Sequence, residues 1–479
     1  MKILLVYSAI NTWLFEGINY GLAYISAVLK KENYPVEYVI LRNAEDKNFF
    51  KKIDQFKPNI IGFSVNSSQI DYLLPIIKKI KKPENFIILG GIHPTLKPDC
   101  LNLIPEIDAI VRGEGELPML ELAQAFDKKK DYLSIKNFWF KNQSEIIKNE
   151  IRPLIKNLDE LPFPDKSSLN YQKILNHYSY KNKVHPEIIN RFIFSRGCPF
   201  NCSYCCNQAL RELYPPDSKY LRYRSPSLAI QEIEIDARKY KFDSIDFDDD
   251  IININKSWFY NFFNLYKKNF KYPFRCNVRP ATLDSDMVNL LKEAGVVRIS
   301  IGLEHGNESF RRKILNRNIS NSEIIKTHQL LKAHQIYHDY QVMVGLPYET
   351  KKMFLDTVKL SRQLGVNTDN DISIFHPYPG TALGEICYQN NWLPNKKHFK
   401  ERKEAVIDYP NFKHQEIQTC HDIYPVLAYF KIIPLILPFP IIIFLGKIIN
   451  RFKKQLLILD KWLGFISHSI KKGLKISNS

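Results

Sequence analysis

Cys198, Cys202 and Cys205 stand in a C-x3-C-x2-C spacing inside "SRGCPFNCSYCCNQAL", residues 195 to 210, which holds four of the chain's eight cysteines. Thiols this dense in one short loop suit metal ligation. Zinc sites pair two C-x2-C knuckles to reach four ligands, and no second knuckle occurs elsewhere in the chain. Three closely spaced thiolates can instead hold three irons of a four-iron cluster and leave the fourth iron open. An open iron is a place for a substrate or cosubstrate. Cys206 follows Cys205 directly, so its side chain is expected to point elsewhere.

Other candidates for chemistry sit at the ends of short apolar runs. Glu304 lies in "IGLEHGNE", between Gly302 and Gly306. Asp248, Asp249 and Asp250 form "FDDDI", and carboxylates this close call for a nearby cation or donor. Arg279, in "CNVRP" at the end of a strand, is a candidate to meet a carboxylate, with a surface salt bridge the alternative. In the first quarter of the chain, Ser64 ends "IIGFSV". Gly91 and His93 lie in "GGIHPT", and Gly113, Glu114 and Gly115 lie in "RGEGE". Glycine there allows close approach of backbone to a ligand.

The elements that must position these residues follow from hydrophobic periodicity. "KILLVY", "VEYVIL", "IIGFSV", "FIILGG" and "DAIVRG" read as buried strands, and "NYGLAYISAVLKK" and "DYLLPIIKKIKK" as helices between them. That alternation implies a doubly wound parallel sheet over residues 1–125, with ligands beyond the strands' carboxyl ends. Residues 126–187 are Lys/Asn-rich and read as a linker, with "LDELPFPDKSSL" an ordered connector. From 188 to 405 the alternation resumes. "RFIFS", "SIDFDDD", "FRCNV", "VRISIGLE", "DYQVMVGLP" and "DISIFHPYP" are six strands, and Ser225 and Pro226 open a helix. The expected fold is α/β: a Rossmann-like domain, a partial (β/α)6 TIM-type barrel, and a C-terminal helical region over 406–479. Functional residues of such a barrel collect where strands end.

With a strand before it and Tyr204 preceding the last cysteine, the C-x3-C-x2-C loop resembles that of the radical S-adenosylmethionine superfamily. The resemblance implies a 4Fe-4S cluster on Cys198, Cys202 and Cys205. It implies that the open iron holds S-adenosylmethionine, which one electron cleaves to a 5′-deoxyadenosyl radical. "IGLEHGNE" resembles the family's GLExG element, so Tyr204, Asp249, Arg279 and Glu304 become expected contacts of the cosubstrate. The chain departs from the family in having "FDDDI" where Gly-Gly-Glu is frequent. "GLPYET" and "PYPGT" resemble the ends of the fifth and sixth strands. A doubly wound domain in front, with "GLAYISAVL", "GGIHPT" and "VRGEGE" in order, is similar to that of the cobalamin-binding members. Ser64, Gly91, His93, Gly113, Glu114 and Gly115 are then expected around cobalamin. The loop "SAINTWLFEG" lacks the Asp-x-His-x-x-Gly of free-standing cobalamin modules, so the resemblance implies binding without a histidine ligand to cobalt.

The expected activity is methylation of an unactivated carbon or phosphorus of a small-molecule, secondary-metabolite or lipid-like substrate, fed by an external electron donor such as flavodoxin or ferredoxin. Three rival readings remain. A cobalamin-dependent cyclase or rearrangement enzyme shares every motif. An RNA methylthiotransferase would need three further cysteines in the front domain, where only Cys100 occurs, so no nucleic acid is expected. A cobalamin or redox sensor would leave the open iron without use. The net charge of +18 is concentrated at one end: residues 447–479 carry eight Lys/Arg against one Asp. They follow "IIPLILPFPIIIFLG", too short and proline-broken to span a bilayer. The pattern suits an interfacial helix on an anionic membrane or a cap on the barrel. The start "MKILLVYSAI" carries no cleavage site. The expected location is the cytoplasm, with a peripheral contact at the inner face of the membrane.

Overall fold

A computed structural model describes residues 1–11, 17–143, 145–177, 180–181, 186–366, 372–394, 396, 398–431, 433–453 and 455–456. The first sheet has seven strands: β1 (Ile3–Ser8), β2 (Val36–Leu41), β3 (Ile60–Ser64), β4 (Phe86–Gly90), β5 (Ala109–Val111), β6 (Phe138–Asn142) and β7 (Glu145–Lys148), in spatial order β2-β1-β3-β4-β5-β6-β7. Pairings among β1 to β5 are parallel. Its two faces follow from the two-residue period of a strand. Ile3 and Leu5 enter one core with the helices Tyr20–Lys31 and Glu116–Asp127, while Leu4 and Val6 enter another with the helix Ile70–Ile80. Burial on both faces explains why "ILLV" is continuously apolar. The stretch expected as a linker contributes β6 and β7, which pair antiparallel and lengthen this sheet beyond residue 125.

The connector is tied down by charge. Asp165 accepts from Ser26 Oγ at 2.6 Å and meets Lys30 Nζ at 2.8 Å. Burial pushes its carboxyl up, but hydrogen bonds from Lys30, Ser167 and Ser26 outweigh this and hold it at about 2. The next residue, Lys166, pairs with Asp236 in the second domain, both buried. A short antiparallel pair, β8 (Tyr180–Lys181) and β9 (Pro186–Glu187), precedes that domain.

The second domain is a curled half-barrel. Its strands β10 (Ile189–Phe192), β13 (Ser244–Phe247), β14 (Phe274–Val278), β15 (Val296–Glu304), β16 (His338–Val344) and β17 (Ile372–Ile374) run in that order, every pair parallel. Between β10 and β13 lies a small hairpin, β11 (Ser195–Arg196) with β12 (Arg222–Tyr223), and the cysteine loop hangs from β11. A dense aromatic core including Phe192, Phe247, Phe262 and Phe274 fixes the outer side of the first strands.

Behind the barrel, the helix His414–Tyr429 packs on the helix Lys351–Gln363, and the helix Phe439–Arg451 packs on the former. Ile442 and Gly446 face inward, with Gly446 against Ile423 and Leu427. Leu445 is half-buried, whereas Ile441 and Phe444 face out. Among the described residues no helix is long and apolar enough to cross a membrane. Most of the basic tail, residues 457–479, lies outside the described residues.

Candidate active site

The cysteine loop is held chiefly by its backbone and by Ser203. Ser203 N donates to Leu315 O at 3.1 Å and Ser203 Oγ to Ile314 O at 2.6 Å, while its carbonyl accepts from Leu383 N at 2.9 Å. Asn316 Nδ2 donates to Asn201 O at 2.8 Å, and Arg211 Nη1 to Pro199 O at 2.9 Å. Gly197 is left-handed at φ +90°, and a Cβ there would lie 2.6 Å from Tyr220 O, so only glycine can start the loop. Cys205 is the N-cap of the helix Cys206–Arg211.

All the cysteines are free. A hydrogen bond from the Cys206 thiol brings Cys205 down to about 7, while burial pushes Cys198 up to about 11. Cys206 therefore does not point away as expected; it lies against Cys205. Among the described residues no three His, Cys, Asp or Glu converge as a mononuclear site requires. A four-iron cluster places each thiolate on a different iron, so separated thiols on a pinned loop fit it.

Two guanidinium groups face the loop. Arg279 Nη1 lies 3.7 Å from Cys202 Sγ, with its plane 3.7 Å from the Phe200 ring. Arg317 Nη1 lies 3.8 Å from the same sulfur, 3.5 Å from Tyr204 Oη and 4.0 Å from Glu304 Oε1, while Nη2 donates to Gly302 O at 2.5 Å. Burial of two cations beside a thiol is costly unless anionic charge faces them. An iron–sulfur cluster with three thiolates supplies that charge. Arg317 Nε is buried with no hydrogen-bond partner.

Glu304 ends β15 at a break in register: Gly302 pairs with Gln341 but Glu304 with Val342. Its φ is +64°. A bulge re-aims a side chain, and here Leu303 drops into the core while Glu304 turns back over Gly302, where any Cβ would strike its carboxylate. A glutamate in the left-handed region is strained, as active-site residues often are. Next to it, buried His305 meets Glu349 Oε1 at 3.2 Å, and Glu349 Oε2 accepts from Gly345 N at 2.7 Å and Leu346 N at 3.1 Å. The carboxylate in "GLPYET" thus shapes a turn.

Cys202, Tyr204, Arg279 and Glu304 are gathered around Arg317, which sequence reading missed. A lone Arg in the loop "LNRN" has no diagnostic spacing, and only its position 13 residues beyond Glu304, between two helices, marks it. Asp249 is not in this group. It is 2 % exposed, and Oδ1 accepts from Phe194 N at 3.1 Å, from Ser195 N at 2.6 Å and from Ser195 Oγ, so it anchors the strand that launches the loop. Burial raises it to about 6 against those hydrogen bonds, and Oδ2 is left without a partner. The cation anticipated near "FDDDI" is Arg191, 3.0 Å from Asp248. Asp250 accepts from Asn207 Nδ2 at 2.9 Å.

A cavity of about 510 Å³ lies between the two domains, within the ~300–1,000 Å³ usual for cofactor sites. Its front wall is the carboxyl end of the first sheet: Ser64, Gly91, Gly113, Glu114 and Gly115 all line it. Thr95 joins the two glycine segments, donating to Gly91 O at 2.6 Å and accepting from Gly113 N at 3.1 Å. Gly91 is left-handed at φ +95° and a Cβ would lie 2.8 Å from Val65 N. Gly197, Asn207, Leu210 and Tyr220 form the far wall. His93 is not in the lining. It is buried against Ser67 Oγ at 2.9 Å, and burial pushes it down to about 4. No histidine lines the cavity among the described residues. The loop "SAINTWLFEG" falls partly outside them, at residues 12–16. A cleft lined by glycines at the strand ends and by apolar and aromatic side chains fits a macrocycle.

Comparisons with known proteins bear on the family and the fold. The model of the Radical SAM superfamily matches residues 192–361, and that of the B12 binding domain matches residues 9–123. An uncharacterized methyltransferase of Pyrococcus horikoshii is 30% identical over 85% of this chain and 87% of its own length. An anaerobic magnesium-protoporphyrin IX monomethyl ester cyclase of Rubrivivax gelatinosus is 27% identical over 75% of this chain and 64% of its own. Among solved structures, the radical S-adenosylmethionine methyltransferase TsrM of Kitasatospora setae, with cobalamin and a 4Fe-4S cluster bound, superposes with a TM-score of 0.65 at 16% identity. That match covers 82% of this chain and 79% of TsrM.

Proposed function

This chain belongs to the cobalamin-binding radical S-adenosylmethionine enzymes, and from that premise we propose that it methylates an unactivated carbon or phosphorus of a small, secondary-metabolite or lipid-like substrate. The observation that carries the reading is a shared wall. The helix Cys206–Arg211, capped by the cluster ligand Cys205, presents Asn207 and Leu210 to the interdomain cavity. When bound, the cluster supplies one electron to S-adenosylmethionine, and cobalamin carries a methyl group. The residues of the chain bind and orient. Cys198, Cys202 and Cys205 would hold the cluster, and Arg317, beside Cys202 and Glu304, would meet the cosubstrate carboxylate. Glu304, at the β15 bulge, would accept from the ammonium group. Ser64, Gly91, Gly113 and Gly115 would hold cobalamin through backbone and hydroxyl.

The name of the Rubrivivax relative favours a second reading, ring formation without net methyl transfer. Feeding expressing cells methyl-deuterated methionine separates the two. Methyl transfer predicts a product carrying the intact labelled methyl. A chain-dependent product without label would favour cyclisation and overturn the proposal.

The C-terminal helix bears on the lipid-like class. We infer that it docks on an anionic membrane surface. Ile436 is 94% exposed and Phe444 63%, and Ile441, Ile448 and Phe452 continue the outward apolar side, flanked by Lys447, Arg451 and Lys453. Apolar burial then adds to ~1 kcal/mol per basic residue near an anionic surface. The chain should sediment with phosphatidylglycerol vesicles, less so at high salt and much less as Phe444→Glu/Ile448→Glu. A wild-type chain that stays in the supernatant at low salt would overturn this part alone.

A further inference from the structure

Glu114 and Glu116 belong to the front domain, yet their partners are in the second. Glu114 Oε1 lies 2.9 Å from both Arg196 Nη1 and Arg222 Nη2, and its Oε2 is 3.2 Å from Arg222 Nη1. Glu116 Oε1 takes Arg196 Nη2 at 2.6 Å. Oε2 of Glu114 also accepts from Ile155 N at 3.0 Å, and Arg222 Nη1 donates to Ile155 O at 2.6 Å. The Tyr24 ring underlies Arg196 at 4.9 Å. Arg222 and Glu116 are almost wholly buried, so these are desolvated, charge-assisted contacts with fixed geometry. The Arg196 and Arg222 guanidiniums, with the hydrogen bonds, hold the Glu114 carboxyl below its usual range despite its burial.

Both ends of this cluster abut cofactor sites. Gly113 and Gly115, on either side of Glu114, line the cobalamin cavity, and so do Glu114, Glu116, Arg196 and Arg222 themselves. Arg196 is two residues before the ligand Cys198, with only the sterically locked Gly197 between. Arg222 is hydrogen-bonded across the β11–β12 hairpin to Arg196's strand. A shift of the front-domain loop would therefore move the start of the cysteine loop.

We propose that Glu114, Glu116, Arg196 and Arg222 form a clasp that sets the spacing and orientation of the cluster relative to cobalamin. Glu114 and Glu116 are positioning residues that act through Arg196 and Arg222. The claim rests on the two cofactors and is independent of whether the product is a methylated or a cyclised one.

Pulsed electron paramagnetic resonance between cob(II)alamin and the reduced cluster, in the full chain, reads that spacing directly. Iron and cobalamin contents are measured on the same samples. Wild type should give one narrow distance distribution. Glu114→Gln and Arg222→Met should each widen it about twofold while retaining iron and cobalamin, and the double variant should be no worse than the worse single, as for members of one ionic network. Glu116→Gln, which keeps a hydrogen bond to Arg196, should give a smaller widening and serves where the buried variants do not fold. Unchanged distributions in samples that hold both cofactors would overturn the clasp. So would a tenfold weaker hydroxocobalamin affinity in Glu114→Gln with no change in Arg222→Met, because Glu114 would then be a direct cofactor contact.

Discussion

The interdomain cavity and the barrel mouth are neighbours built by opposite means. The cavity wall is mostly uncharged, glycines and Ser64 at the strand ends with apolar and aromatic side chains such as Ile25, Met119 and Tyr220, and its two carboxylates, Glu114 and Glu116, are consumed by Arg196 and Arg222. The barrel mouth is made of charge: Arg279, Arg317 and Glu304 around a thiol loop, with a buried donor left unpaired. A large flat cofactor is recognised by shape and backbone, which asks for small residues and space. A zwitterionic cosubstrate on an anionic cluster is recognised by fixed charges, which asks for buried Arg and Glu held in strained geometry.

The contrast predicts that lesions separate by cofactor. Cys198→Ala/Cys202→Ala/Cys205→Ala should lose all iron and all deoxyadenosine formation yet still bind hydroxocobalamin, since no thiol lines the cavity among the described residues. Loss of cobalamin in that variant would mean that the two sites are one. Arg317→Met should keep about four irons per chain. It should weaken S-adenosylmethionine binding about 10- to 100-fold, the equivalent of one charge-assisted hydrogen bond. Equilibrium dialysis with the reconstituted protein reads this, and an unchanged affinity would remove Arg317 from the site.

On the other side, Gly115→Val should weaken hydroxocobalamin binding about tenfold with iron intact, because its Cβ would already press on Ile25 at 2.8 Å and the added methyls enter the cavity. The smallest effect belongs to the joint that serves neither site. The Asp165 carboxyl is lowered on folding to about 2, so its stabilisation is full above the unfolded value near 4 and is lost as pH falls toward 2. Asp165→Asn should cost about 1–2 kcal/mol at pH 7 after solvent screening, and less at pH 3. Denaturant melts at the two pH values check the sign, and both cofactors should bind normally.

Much of this was legible in the residues. Strand alternation located the parallel sheet and all six barrel strands, because a strand buried on both faces must be apolar throughout. The cysteine spacing singled out the loop that leaves β11, and "IGLEHGNE" the glutamate that stands at the β15 bulge. Roles that depend on partners distant in sequence were not legible. Asp249 reads as a strand-end ligand but spends Oδ1 on Phe194 and Ser195. His93 reads as a cavity residue but turns to Ser67. Glu114 reads as a cofactor contact, although Arg196 and Arg222, 82 and 108 residues away, hold it. β7 was hidden because an antiparallel edge needs little apolar pattern, being half-buried at best, whereas β6 shows the alternation in "FWFKN", with Phe138 and Phe140 buried, inside a stretch whose Lys/Asn-rich composition reads as a linker.

The most direct test is deoxyadenosine formation by the full chain, reconstituted anaerobically with iron, sulfide and hydroxocobalamin and reduced in the presence of S-adenosylmethionine. The account predicts that deoxyadenosine accumulates with the chain carrying about four irons and bound cobalamin, and that it disappears in the triple cysteine variant. A fully loaded wild-type chain that leaves S-adenosylmethionine intact would contradict it.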